Sequence, residues 1–221
     1  MTVNFDHHRS ERTGIDEVIL AEPKHNIDLK EAILKALEKN NRVLITRIQE
    51  SQRETVEASS EEVDQEITWD RYFRTAIIGE IDDREKTTHV AILSGGTSDQ
   101  PIVEEISFSL RYFGINSIAF PDVGVAGIHR HQDVLEKISD MNSVKIIIVV
   151  AGLEGALFSV ISGQSKLPMI AVPTSTGYGF GGKGEAALRS ALQSCSPGVV
   201  AVNIDNGFGA ASFVKKMLIH N

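Results

Sequence analysis

The sequence is poor in cysteine, in positive charge and in long apolar runs, and each shortage excludes a class of protein. A single cysteine among 221 residues, Cys195, excludes an intramolecular disulfide framework and a zinc site built from several thiolates. We find no apolar run of membrane-spanning length and no signal-peptide pattern. The formal net charge of −8 disfavours nucleic acid as a general partner. We therefore expect a cytoplasmic protein with neither a membrane nor a nucleic-acid partner.

The remaining composition is that of a globular protein, with 42% hydrophobic and 24% charged residues. A polar stretch at 81–88 has the composition of a linker. Residues 1–86, with apolar runs at 42–48 and 72–79, are predicted to form a small α+β domain. Residues 87–221 are predicted to form a second, larger domain.

In the second part, five β-rich apolar runs alternate with helical patterns. This alternation predicts an α/β fold, a doubly wound, three-layer arrangement around a five-stranded parallel sheet. Ligands of such sheets bind outside the carboxyl ends of the strands, so the turns after the first four strands are the candidate site. The predicted strands lie at 89–93, 115–120, 145–150, 169–172 and 198–204.

The first of these turns has the sequence Ser-Gly-Gly-Thr-Ser-Asp. Its glycines allow a ligand to approach the backbone, and Gly96, Thr97 and Ser98 suit a phosphate at a helix start. Asp99 could accept hydrogen bonds from ribose hydroxyls. The alternative is a plain helix N-cap by Ser98 or Asp99.

The other turns add charged and glycine-rich segments. Arg130 is a candidate phosphate clamp, and His129 is either a ligand or an ordinary helix-surface histidine. Glu154 is either a site residue or a favourable first-turn acid. The stretch 177–183 nearly matches a Walker A loop, but Gly184 replaces its serine or threonine. We interpret this stretch as a glycine-rich cover of the site; the alternative is a flexible surface loop.

Cys195 lies between a predicted helix and the last predicted strand. A lone cysteine is more often a small buried apolar residue than a nucleophile. A thiol near a helix C-terminus is also poorly ionised, so a nucleophilic role needs a cationic neighbour. That neighbour could be Lys183, Arg189 or a positively charged substrate.

These motifs together resemble two related families. Residues 89–218 resemble the PurE-type AIR carboxylases, on the turn 94–99 and on Ala126–Arg130. The whole chain more closely resembles the LarB family, the nickel-pincer-nucleotide carboxylase/hydrolases. The matching blocks are Gly96–Asp99, Asp122–Gly127, Ala151–Leu157, Val172–Ser175, Gly177–Gly179, Ser194–Cys195 and Asn203–Ala211, with Arg9, Arg12, Gly14 and Leu44–Arg47 in the first part.

The resemblance implies an enzyme of nickel-pincer cofactor biosynthesis. Its substrate would be nicotinic acid adenine dinucleotide, with carbon dioxide or bicarbonate as co-substrate and no covalently bound cofactor. Its products would be AMP and pyridinium-3,5-biscarboxylic acid mononucleotide. Thiolate addition by Cys195 at ring carbon 4 would make carbon 5 nucleophilic toward carbon dioxide, and Glu154 would remove the carbon 5 proton.

The resemblance also implies a set of substrate-binding residues. Mg²⁺ on the substrate pyrophosphate is a further expectation, with Asp99 and Asp122 as candidate metal ligands. The substrate-binding set is Gly96, Thr97, Ser98, Asp99, Asp122, Gly124, His129, Arg130, Gly152, Gly155, Ser175, Gly177 and Tyr178.

Two other functions are alternatives. One is an AIR carboxylase or mutase of purine biosynthesis, but Ala156 stands where that family carries a catalytic histidine. The other is a non-catalytic nucleotide-binding regulator. The presence of both candidate catalytic residues, Glu154 and Cys195, disfavours it. The resemblance further implies a homo-oligomer, an octamer in PurE-type proteins. We expect contacts through residues 89–218, with Phe213, Met217 and Leu218 exposed for this purpose.

Overall fold

Two β-sheets organise the chain in the computed structural model, which describes residues 3–81 and 87–219. The first sheet has the strand order β1-β2-β4-β3, in which β1 runs parallel to β2 and the other neighbours are antiparallel. Its strands are β1 (Ile19–Leu20), β2 (Arg42–Thr46), β3 (Ile67–Trp69) and β4 (Ala76–Gly79). The helices of this part are α1 (Arg9–Thr13), α2 (Asn26–Leu37) and α3 (Arg53–Glu62).

The second sheet is parallel throughout and has the order β6-β5-β7-β8-β9. Its strands are β5 (Thr88–Ser94), β6 (Asn116–Phe120), β7 (Ile146–Ala151), β8 (Met169–Pro173) and β9 (Val199–Ala201). The helices are α4 (Gln100–Tyr112), α5 (Ile128–Asp140), α6 (Ala156–Ser162), α7 (Glu185–Leu192) and α8 (Gly207–Ile219). The predicted α/β class, with a five-stranded parallel sheet and a smaller α+β region, is confirmed.

The central strands are buried on both faces, which explains their continuous apolar runs. Every residue of β7 and β8 is buried. Because side chains alternate along a strand, Ile148 and Val150 pack into one core with α4 and α8. Ile147 and Val149 pack into another core with α5, α6 and α7.

The first sheet docks on α4 and so joins the core of the second. Leu44 of β2 and Ile77 of β4 belong to the same buried cluster as Ile106 and Leu110 of α4. The opposite face of this sheet packs on α2 and α3. Helix α4 therefore packs between the two sheets.

Some local predictions differ from the structure. Strands β1 and β3 were not predicted because they are only two and three residues long. In α8, Phe213 is exposed, whereas Met217 and Leu218 pack partly buried against the core, so the expectation of exposure was wrong for those two. The predicted linker lies largely outside the described residues, and the boundary between residues 86 and 87 stays a prediction.

Within the described parts of the chain, no helix is long and apolar enough to cross a membrane.

Candidate active site

A pocket of about 480 Å³ opens at the carboxyl edge of the parallel sheet. The turns after β5, β6, β7 and β8 all contribute to it, as the fold rule predicts. The lining residues are Gly95, Gly96, Ser98, Asp99, Gly124, Val125, Ala126, Ala151, Gly152, Leu153, Glu154, Ala156, Leu157 and Thr176.

Asp99 holds two of these turns together. Its side chain accepts a 3.0 Å hydrogen bond from the Gly96 N–H and a 2.7 Å bond from the Thr174 hydroxyl. The residue is only 4% exposed. Burial raises the pKa of Asp99, against the opposing effect of these hydrogen bonds. Asp99 thus fixes the turn after β5 against the turn after β8.

Two glycines allow the turns to approach closely. A Cβ atom on Gly124 would lie 2.7 Å from the Gly95 carbonyl oxygen. A Cβ on Gly152 would lie 2.1 Å from the carbonyl oxygen of Thr176. That same carbonyl accepts the Leu153 N–H at 2.9 Å. The pocket walls therefore require glycine at both positions.

The charged residues after β6 lie outside the pocket lining. Arg130 and Asp122 form an ion pair of 2.9 Å, and both side chains are about half exposed. Asp122 has a left-handed backbone with φ of 56°. His129 is exposed on the first turn of α5. This pair leaves the guanidinium near the turn that carries Gly124 and within reach of solvent.

Glu154 and Ala156 occupy the turn after β7. Glu154 is exposed and lines the pocket just before α6. Ala156, the first residue of α6, lines the same pocket with a methyl group. The pocket therefore presents a carboxylate but no imidazole at these positions.

The glycine-rich stretch Gly179–Gly184 forms 3-10 turns that are interrupted by non-helical backbone at Gly182 and Lys183. Tyr178 is 83% exposed and Phe180 is fully exposed. A Cβ on Gly181 would lie 3.2 Å from the Leu153 backbone, so this stretch packs against the turn after β7. Two exposed aromatic rings therefore lie on a stretch that packs against Leu153, the residue before Glu154.

Cys195 lies at the other edge of the sheet. It is exposed in the loop between α7 and β9, whereas Glu154 follows β7 at the carboxyl edge. The neighbouring Ser194 hydroxyl is 3.0 Å from the Ser159 hydroxyl of α6, and Ser196 lies near Gly163 at the end of that helix. Glu154 precedes the start of α6, whereas the residues on either side of Cys195 contact Ser159 in the middle of that helix and Gly163 at its end. Among the residues that the structure describes, Cys195 does not line the Glu154 pocket.

The structure thus gathers only part of the predicted site. Gly96, Ser98, Asp99, Gly124, Gly152 and Glu154 line the pocket. The lining does not include the remaining predicted positions, namely Thr97, Asp122, His129, Arg130, Gly155, Ser175, Gly177, Tyr178 and Cys195.

Sequence reasoning missed Thr174 and Thr176, which sit beside the predicted Ser175. Thr174 holds Asp99, and the Thr176 hydroxyl donates to the Ser98 carbonyl at 3.4 Å. A hydroxyl pair next to a strand end was the signal that could have indicated them.

The predicted Mg²⁺ ligands are both engaged by protein groups. Asp99 is held by Gly96 and Thr174, and Asp122 pairs with Arg130. Across residues 3–81 and 87–219, no group of three His, Cys, Asp or Glu side chains could hold a metal ion. These carboxylates are therefore not arranged around a metal.

Comparison with known proteins matches both parts of the chain. Residues 89–221 match the family model described as AIR carboxylase, which covers more than half of the chain. The chain belongs to the AIR carboxylase family. Residues 1–78 match the model described as LarB/PurE-like N-terminal domain. These two matches indicate a carboxylase-type enzyme of the AIR carboxylase superfamily.

Individual relatives agree with this assignment. An uncharacterized protein of Methanocaldococcus jannaschii is 40% identical over 218 residues, covering 96% of this chain and 82% of the relative. The N5-carboxyaminoimidazole ribonucleotide mutase of the same organism is 32% identical over 131 residues. The match covers 58% of this chain and 78% of the mutase. The crystal structure of a Treponema denticola PurE2 variant gives a TM-score of 0.51 at 25% sequence identity. The match covers 60% of this chain and 80% of the PurE2 chain. The AIR carboxylase part is thus shared with these relatives.

Proposed function

We propose that this AIR carboxylase family member is a LarB-type enzyme. It carboxylates the pyridinium ring of nicotinic acid adenine dinucleotide and hydrolyses the phosphoanhydride, releasing AMP. The observation that carries the proposal is the pocket with Glu154 beside Ala156. A carboxylate suits removal of a ring proton, while the imidazole of the purine carboxylases is replaced by a methyl group. The LarB/PurE-like N-terminal domain supports the same assignment.

The carboxylation consists of four bond changes. The Cys195 thiolate forms a C–S bond at ring carbon 4, and the ring becomes a neutral dihydropyridine. Carbon 5, now an enamine carbon, attacks carbon dioxide and forms the C–C bond. Glu154 removes the proton of carbon 5, and departure of the thiolate restores the aromatic pyridinium. No oxidant or reductant is required, because the ring begins and ends at the same oxidation level.

The two catalytic residues meet between subunits in this proposal. Within one chain, Glu154 precedes α6 and lines the pocket, whereas Cys195 lies beside the middle and end of that helix and is not part of the lining. Exposed apolar side chains lie near both: Leu153 and Phe180 close to Glu154, and Leu192 close to Cys195. Contact between these surfaces in a homo-oligomer would bury them and bring Cys195 of one copy to the pocket of another.

Arg130 and the glycine-lined turns would hold the dinucleotide phosphates. Arg130 is paired with Asp122 beside the pocket and exposed enough to rotate toward a phosphate. The close-packed turns at Gly124 and Gly152 leave backbone groups at the pocket wall. These groups suit a ligand that binds in an extended form along the sheet edge.

A purine mutase is the second candidate function. The 32% identity to N5-carboxyaminoimidazole ribonucleotide mutase favours it. Ala156 disfavours it, because the position that carries the family's histidine has no proton-transfer group. We rank it second for this reason.

The discriminating experiment offers both substrates to the purified protein with carbon-13-labelled bicarbonate. Mass spectrometry of the nucleotide products is expected to show one labelled carboxyl group on a pyridinium mononucleotide, together with AMP. Conversion of N5-carboxyaminoimidazole ribonucleotide without reaction of the dinucleotide would replace the proposal with the mutase. Heat-inactivated protein is the control.

A further inference from the structure

We propose that Arg47 of the amino-terminal sheet is a positioning residue for the candidate active site. Arg47 is hydrogen-bonded to Asp205 in the loop after β9, and Asp205 is hydrogen-bonded to the turn after β8. Thr174 of that turn is hydrogen-bonded to Asp99. The inference gives the amino-terminal part of the chain a role in the reaction, and it rests on the proposed function for its kinetic test only.

Arg47 follows β2 directly and has a left-handed backbone, with φ of 54°. Its guanidinium reaches across to the second part of the chain. One Nη donates to the backbone carbonyl of Asp205, and Nε lies 3.6 Å from a Glu105 carboxylate oxygen. The other Nη lies 3.7 Å from Glu22. A single side chain thus joins the first sheet, α4 and the loop after β9.

Asp205 connects Arg47 to the pocket through hydrogen bonds to the turn after β8. Its N–H donates to the Pro173 carbonyl at 2.8 Å, and its carboxylate accepts the Ser175 N–H at 2.8 Å. These two bonds hold the residues on either side of Thr174. The Thr174 hydroxyl in turn donates to Asp99 in the pocket wall. A continuous series of hydrogen bonds therefore runs from Arg47 to the pocket.

Glu105 fixes the guanidinium at its other side. Its side chain is 6% exposed and accepts the Phe208 N–H at 2.8 Å. Burial raises the pKa of Glu105, while the positive charge of Arg47 opposes that effect. Arg47 is thus a positively charged neighbour of a buried carboxylate on α4, the helix that begins directly after Asp99.

The chemistry of this contact requires arginine. The guanidinium has five donors in a planar fork and can serve the Asp205 carbonyl and Glu105 together. A lysine ammonium is a single point of charge and would serve one of them at a time. Arg47→Lys is therefore expected to recover only part of the effect.

Arg42 offers a matched control. It is the first residue of β2 and lies about 16 Å along the strand from Arg47. It also contacts α4, because its guanidinium lies 4.8 Å from the centre of the Tyr112 ring. It therefore shares the sheet, the charge and the contacted helix, but not the bond to Asp205. Arg42→Met should weaken docking of the first sheet without loosening the turn after β8.

The first measurement is amide hydrogen exchange in the full chain. Arg47→Met is expected to speed exchange of the Ser175 N–H about tenfold or more, because loss of a charge-assisted hydrogen bond lowers the cost of local opening. Arg42→Met should leave that rate within about twofold of wild type. Equal acceleration in both variants would overturn the proposal, and so would no acceleration in Arg47→Met.

The second measurement is the carboxylation rate. Arg47→Met is expected to lower kcat/KM about 10- to 100-fold, Arg47→Lys less, and Arg42→Met little. Equal losses in the two methionine variants would reduce Arg47 to a structural contact. If wild type fails to carboxylate the dinucleotide, the proposed function fails and the exchange result still decides the role of Arg47. Should Arg47→Met not fold, the comparison is made in Arg47→Met with Glu105→Gln, which removes the unpaired buried carboxylate.

Discussion

Gly152 has no room for a side chain, and Gly152→Ala is expected to destabilise the protein. The added Cβ would lie 2.1 Å from the Thr176 carbonyl oxygen and 2.7 Å from the Thr174 hydroxyl oxygen. An ordinary contact needs 3.4 Å or more, so the turn after β8 must move by over an ångström. That movement would break the 2.9 Å bond from Leu153 to Thr176. Overpacking of this kind costs about 2–3 kcal/mol.

For a chain of this length the cost corresponds to a fall in Tm of about 5–10 °C. Scanning calorimetry measures it directly, and Gly96→Ala is the control for stability. A Cβ on Gly96 has no atom within 4 Å, and the backbone there is extended, with φ of −153°. Gly96→Ala should therefore unfold within about 2 °C of wild type. A Gly152→Ala variant as stable as Gly96→Ala would refute the reasoning about the close approach of the two turns.

Two further predictions concern charge. Burial raises the pKa of Glu105 above its ordinary value of 4.5, so the group stabilises the fold less as the pH rises through its folded pKa. In urea unfolding from about pH 4 to about pH 8, the stability of Glu105→Gln relative to wild type should therefore increase with pH, and a constant difference would contradict this. Arg130→Ala, which removes the partner of Asp122 and a phosphate donor, should raise KM about tenfold with little change in kcat. A collapsed kcat at unchanged KM would place Arg130 in the chemistry instead.

The parallel sheet was predictable from the sequence because strands that are buried on both faces are apolar at every position. Residues 146–150 are apolar at every position, and the strand is buried on both faces. The short β1 and β3 carry no comparable signal, since two or three residues cannot show a period.

The contacts that build the pocket were less accessible to sequence reasoning. Asp99 and Thr174 are 75 positions apart, and Arg47 and Asp205 are 158 apart. No local spacing predicts such pairs, because they depend on which strands become neighbours. Arg47 and Asp205 belonged to blocks shared with the LarB family, yet their contact could be read only from the fold.

The position of Cys195 could have been deduced from topology alone. In a parallel sheet with helical crossovers, a residue that follows a strand and one that precedes a strand lie at opposite edges. Glu154 follows β7 and Cys195 precedes β9, so the topology places them at opposite edges of the sheet. Resemblance named both residues but gave no indication of their relative position in the fold.

We propose that Glu154 and Cys195 act on one dinucleotide ring across a subunit contact. Subunit exchange between Glu154→Gln and Cys195→Ser, each inactive alone, tests it most directly, with labelled carboxyl incorporation as the readout. Random mixing should leave about one quarter of the sites with both intact residues and restore about that fraction of the wild-type rate. No restored carboxylation in fully exchanged oligomers would contradict the account.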